Sequence, residues 1–165
     1  MKKPFLERYG GQSTEELLAL ESQYRVDSLV LAFEAALEDK DAGGLSEEET
    51  YVLAVEGLER EVNNGGYRQF FGNGSNRYVT VIEAALRAIG CPVTADITRD
   101  AIEALGLEEL SAEAVEAATV APEDDVDDAL ATCDDSYYDS GEPIADRLFA
   151  WIRLHHDRIR VGPQR

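Results

Sequence analysis

The side chains of this chain best equipped for chemistry are the adjacent histidines His155 and His156, the cysteines Cys91 and Cys133, and a dense set of carboxylates. Neighbouring residues on a helix point about 100° apart, so the two histidines cannot converge on one metal ion. No HExxH or similar ligand spacing occurs either, and His155 is expected half-buried beside an apolar helix stripe. The two cysteines lie far apart in unrelated contexts, which suggests neither a disulfide framework nor a metal site. They are expected to be reduced and structural. The acidic runs 123–128 and 134–139 do not give D-x-D-x-D-G with a Glu at the twelfth position, so neither reads as a calcium loop. Nothing singles out one pair among 34 Asp and Glu for glycoside chemistry. No Ser or Cys stands in a nucleophile motif. The chain therefore reads as a binding protein, with no cofactor and no metal; a small enzyme is the alternative reading.

What remains is charge. The chain carries 34 acidic against 15 basic residues, a formal net charge of -19. Between Asp100 and Asp146 there is no Lys or Arg at all, so the acidity is localised. Such a surface repels nucleic acid and anionic membranes and attracts basic protein surfaces in a salt-dependent way. The expected partner-binding belt comprises Glu108, Glu109, Glu113, Glu116, Glu123, Asp124, Asp125, Asp127, Asp128, Asp134, Asp135, Asp139 and Glu142. High net charge also serves solubility, so charge alone does not name a partner.

A second dense stretch, Glu59 to Asn73, reads EREVNNGGYRQFFGN. Gly costs about 1 kcal/mol against Ala inside a helix, and Asn prefers local backbone hydrogen bonds, so NNGG reads as a helix stop. Asn63 or Asn64 is expected in a left-handed conformation, with the glycines permitting close backbone approach. Tyr67, Phe70 and Phe71 follow at i, i+3 and i+4, on one face of a short turn, and are expected to plug the core. A phosphate loop is a poorer reading, because the Lys-Ser/Thr ending is missing and no strand precedes the glycines.

The elements that must carry these features are helical. Residues 1–12 read as a flexible N-terminal segment, 13–160 as a single helical domain and 161–165 as a C-terminal tail. Ser13 with Glu16 and Ser46 with Glu49 fit capping boxes. Val26, Leu29, Val30, Phe33 and Leu37 keep the helical period, in one long helix or in two with a break near Ser22 to Asp27. Tyr51, Val55, Leu58 and Val62 form a core stripe that leads to the NNGG corner. Ser75 or Asn76 is expected to cap the helix bearing Val79, Ile82, Leu86 and Ile89, which Gly90 and Pro92 end. Thr94 is expected to cap the next, stopped at Gly106. A short Ala-rich helix over Ser111 to Ala118 follows. Pro122 is placed in the first turn of a helix carrying Val126, Ala129 and Leu130, Asp134 to Glu142 in a polar loop, and Pro143 at the start of the last helix. No stretch alternates with period 2, so the fold is expected to be all-α with about six to eight helices. No transmembrane span or signal peptide is read, which points to the cytoplasm.

The run EVNNGGYRQFFGN, preceded by LSEEETYVLAVEGLER and followed by a helix ending in AALRAIG, resembles the signature of the DNA mimic protein 19-like family. The signature positions are Asn63, Asn64, Gly65, Gly66, Tyr67, Gln69, Phe70, Phe71 and Asn73, and the similarity spans roughly Leu45 to Leu105. The resemblance implies an all-helical cytoplasmic protein, often a homodimer, that presents carboxylates in place of duplex phosphates and so occupies a DNA-binding or transcription-regulating protein. Duplex DNA carries about one charge per 1.7 Å of axis, and helical carboxylates at i, i+3 and i+4 recur every roughly 5 to 6 Å. The corner would then carry the fold, and the acidic belt the binding. A general-purpose acidic binding protein with no mimicry is a further alternative reading.

Overall fold

The structure, a computed structural model, describes residues 1–163. Eight α-helices and short 3-10 turns make up the secondary structure of the described residues, with no strand among them. The all-α expectation is met. Within the chain the residues gather into two compact units, Met1–Glu56 with the chain from Pro143 onward, and Gly57–Glu142.

The first unit is built from α1 (Thr14–Ala19), α2 (Val26–Glu38), the opening of α3 (Glu47–Gly72) and α8 (Ile144–Leu154). Ser13 and Glu16 form the expected capping box on α1, which runs into a 3-10 turn at Leu20–Ser22 before α2 begins. Two helices therefore stand where one long one was the alternative. Leu29, Phe33 and Leu37 of α2 are fully buried, as are Leu148 and Ile152 of α8, which packs against α2. Each such side chain contributes about 1.5–3 kcal/mol by leaving water. Ser46 and Glu49 cap α3 reciprocally, at 3.0 and 3.1 Å. The same Glu49 carboxylate also accepts Lys40 Nζ and the Arg160 backbone N–H, each at 2.8 Å. One buried acid thus joins a helix start, a loop and the chain beyond α8.

Residues near both ends of the described chain bond into this unit. Leu6 donates its N–H to Ser28 Oγ at 3.0 Å, and Arg25 donates to the Pro4 carbonyl at 2.9 Å, within the segment read as flexible. Val161, read as the start of a tail, is buried and donates to Thr14 Oγ1 at 3.1 Å. Of that expected tail, residues 164 and 165 lie outside the described residues. His155 follows α8 half-buried, stacked on Trp151 with ring centroids 4.4 Å apart. Its exposed neighbour His156 faces elsewhere.

The second unit holds the rest of α3, then α4 (Ile82–Ala88), α5 (Pro92–Ala104), α6 (Ala112–Val120) and α7 (Asp124–Asp139). Here α5 packs against both α4 and α7. Tyr67, Phe70 and Phe71 are fully buried, so the aromatics do plug a core. The Tyr67 hydroxyl pairs with Thr98 Oγ1 of α5 at 2.7 Å.

Several local expectations are corrected. No residue other than Gly has positive φ among the described residues, so neither Asn63 nor Asn64 is left-handed. The helix runs through both asparagines and breaks at Gly65 (φ -156°, ψ 19°) and Gly66 (φ 75°, ψ -174°), then restarts at once. Gly66 sits in a region essentially closed to other residues, which explains why the change of direction falls on Gly. Neither Ser75 nor Asn76 caps α4, which begins at Ile82 without a side-chain cap. Asn76 instead donates to the Phe71 carbonyl at 2.8 Å, satisfying the end of α3. Pro92 rather than Thr94 opens α5. Pro122 lies just outside α7, whose N-cap position is Glu123. The largest correction concerns 134–142: α7 runs to Asp139, and only the last three residues of the expected loop are non-helical. Leu130, Cys133 and Tyr137 at i, i+3 and i+7 are its buried face, and the polar residues between them are its solvent face.

Candidate interaction surface

Helix α7 begins with Asp124, Asp125 and Asp127 in its first turn, where the helix dipole favours negative charge. Because Leu130, Cys133 and Tyr137 anchor one side to the core, the opposite side is fixed outward. At about 100° per residue, Asp124, Asp128, Asp135 and Asp139 fall within about 60° of arc on that outward side. All four are exposed. With a rise of about 1.5 Å per residue they form a row about 22 Å long, with steps of about 6, 10 and 6 Å. Asp125 flanks the row, exposed, and Asp127 lies half-buried on the other flank, 3.3 Å from Arg68.

The remaining belt residues divide. Glu113 and Glu116 lie at i, i+3 on the exposed side of α6, while Glu108 and Glu109 are exposed in the connection before it and Glu123 just before α7. Asp134 and Glu142 are half-buried, and their carboxylates are engaged inside the unit. Glu142 accepts the Val93 and Thr94 backbone N–H groups at 3.1 and 2.8 Å and the Thr94 hydroxyl at 2.6 Å, so it caps the start of α5 from outside the helix. Asp134 Oδ1 accepts the Tyr67 N–H at 2.7 Å, at the restart of α3. Burial raises the Asp134 carboxyl above its usual range, opposed by that N–H bond.

Around the signature the geometry is that of a spliced helix. Next to the break, the Val62 carbonyl accepts the Tyr138 hydroxyl at 2.6 Å. Glu59, one turn before Asn63, accepts a hydrogen bond from the Tyr137 hydroxyl. Burial pushes the Glu59 carboxyl up to about 7, only partly opposed by Asn63. A Cβ on Gly66 would stand 2.3 Å from Asp134 Oδ2, so the glycine is also what lets that carboxylate approach. Asn63 donates to the Glu59 carbonyl at 2.7 Å, Asn64 is exposed, and Gln69 and Asn73 both donate to the buried Glu61, at 2.7 and 3.0 Å. Gly65, Gln69 and Asn73 also line a shallow cleft of about 360 Å³ with Arg68, Glu116 and Thr119.

The family model described as DMP19-like protein matches residues 43–155, which include the broken α3 and all of α7. The chain belongs to the DMP19-like family. No curated protein and no solved structure matches it. Within this family member, Glu59, Tyr137 and Tyr138 were not singled out as functional from the sequence. The signal that could have found the two tyrosines is the Leu130–Cys133–Tyr137 spacing, which extends α7 through them. Among the described residues no helix is long and apolar enough to cross a membrane, and no cluster of His, Cys, Asp and Glu is arranged to hold a metal ion.

Proposed function

We propose that the chain is a non-catalytic acidic interaction module that occupies the nucleic-acid-reading surface of a basic protein, with a DNA-binding or transcription-regulating protein as the partner. The observation that carries this reading is the outward row Asp124, Asp128, Asp135 and Asp139 on α7, in a stretch where no Lys or Arg occurs from Asp100 to Asp146. A basic surface shaped to follow phosphates meets carboxylates at steps of about 6, 10 and 6 Å along one helix, with no like-charged residue from the same stretch to repel it. Family membership is consistent with this role. The row is sparser than a duplex, which carries about one charge per 1.7 Å. Binding is therefore expected to be sensitive to salt but less steeply so than binding of the same partner to DNA. The carboxyl held near neutrality, Glu59, is paired with a tyrosine inside its unit, an arrangement suited to holding two helices together.

The test is capture from cell extract on the immobilised chain at low salt, followed by a salt gradient. Nucleic-acid-binding proteins should be retained, elute as salt rises, and be displaced by added duplex DNA. Retention of none of them would contradict the reading.

A further inference from the structure

The shallow cleft beside the signature, of about 360 Å³, lies between the restarted part of α3 and the end of α6. The two helices pass close together at Gly72, where an added Cβ would stand 3.7 Å from Thr119 Oγ1. On the α3 side the polar side chains are aimed by a buried acid. Gln69 and Asn73, one turn apart, both donate their amide N–H groups to the buried Glu61, at 2.7 and 3.0 Å. An amide whose NH2 is committed to a carboxylate presents its carbonyl oxygen on the other side. For Gln69 that oxygen lies over Gly65, where an added Cβ would stand 2.1 Å from it, so the glycine is what leaves it room.

The α6 side supplies a charge and an apolar wall. Glu116 is exposed, and Val120 is 76% exposed although it is a large hydrophobic side chain. Arg68 also lines the cleft, and its guanidinium is met by Asp127 of α7 at 3.3 Å. Oriented carbonyl oxygens and a carboxylate call for a ligand rich in donors and positively charged, and the exposed valine calls for a hydrocarbon stem beside that charge. An arginine side chain has all of these, since its planar guanidinium is always charged and holds its N–H donors in a fixed fork. A lysine ammonium is a compact point charge with fewer donors. An anion is disfavoured by Glu116 and by the net charge of -19.

We propose that this cleft is an arginine socket. It takes one arginine side chain of the basic partner, whose guanidinium donates to the Gln69 and Asn73 carbonyl oxygens and to the Glu116 carboxylate while its stem lies against Val120. This rests on the reading of the chain as a module that binds a basic protein. Through the Arg68–Asp127 pair the socket adjoins the first turn of α7, so the seated arginine fixes where the partner's other cations meet the aspartate row. The row then supplies long-range attraction, and the socket supplies register.

NMR titration of the isotope-labelled full chain with N-acetyl-arginine amide at low salt tests the socket without a partner protein. Amide shifts should concentrate at 65–73 and 116–120, and N-acetyl-lysine amide, of equal charge, should bind several-fold more weakly. Glu116→Gln should weaken the arginine probe several-fold. Glu103→Gln, the same loss of charge at an exposed position of α5, should leave its binding nearly unchanged. Gly65→Ala, whose Cβ displaces the Gln69 amide, should weaken it as well; should that variant not fold, Glu116→Gln decides. Equal binding of the two probes, shifts confined to positions outside the cleft, or equal effects of Glu116→Gln and Glu103→Gln overturn the socket. An oligoarginine peptide separates the socket from the reading beneath it. Shifts at 124, 128, 135 and 139 with none at the cleft overturn the socket alone. Shifts at the cleft with none at those four positions support the socket and contradict the row, and no shift at either contradicts both.

Discussion

Asp134 Oδ1 lies 2.7 Å from the Tyr67 backbone nitrogen, 67 residues away in sequence, at the point where α3 restarts after its glycine break. A carboxylate from one helix does for another what an N-cap residue ordinarily does from within the same chain segment. Asp134→Ala leaves that N–H unpaired and should cost about 1–3 kcal/mol, with Asp134→Asn costing less because an acceptor remains. Urea unfolding midpoints of the two variants measure the difference.

Gly66→Ala should be worse than either. The new Cβ meets the Asp134 carboxylate at 2.3 Å, and the backbone stands at φ 75° and ψ -174°. Strain alone in that region costs about 1–3 kcal/mol, and the lost carboxylate contact adds to it. The same denaturation series should place Gly66→Ala below Asp134→Ala.

Glu59→Gln should stabilise the chain at alkaline pH and not in acid. Burial raises the Glu59 carboxyl to about 7 in the folded chain, so the folded state holds the proton more tightly than the unfolded one. Its contribution is fully present below about pH 4.5 and is lost as pH rises to about 7. Glutamine keeps an acceptor for Tyr137 and carries no charge. The stability of the variant relative to wild type should therefore improve by about 2 kcal/mol between pH 4 and pH 8, allowing for partial exposure of the site. Melting temperatures across that range provide the check.

Glu142→Ala separates fold from binding within the acidic stretch. The Glu142 carboxylate accepts three hydrogen bonds at the start of α5, so its loss should cost about 1–2 kcal/mol, in the manner of a missing N-cap. Partner affinity should change little, whereas Asp128→Asn, which removes an outward charge, should weaken binding and leave the melting temperature nearly unmoved.

The sequence carried the helices wherever periodicity and capping residues agreed, as at Ser13 with Glu16 and at Ser46 with Glu49. It misplaced the end of α7 because DDSYYDSGE has the composition of a loop. The two tyrosines that make it helical act through partners on α3 more than seventy residues away, which local pattern cannot reveal. The NNGG corner was legible as a break, but the conformational burden falls on Gly66 and not on an asparagine, because its backbone takes a conformation open only to Gly and the Asp134 carboxylate packs where a Cβ would stand. The acidic belt was legible as charge. Its division into outward aspartates and inward Asp134 and Glu142 was not, because all thirteen look alike until helix phase and partners are known.

Competition on a duplex tests the central claim most directly. A DNA-binding protein retained by the chain is loaded on its labelled site, and release of the DNA is followed as the chain is added. The account predicts that the wild-type chain displaces the duplex and that the fourfold change of Asp124, Asp128, Asp135 and Asp139 to Asn abolishes displacement while the fold is kept. Equal displacement by the fourfold variant, or a complex that holds DNA and chain together, would contradict it.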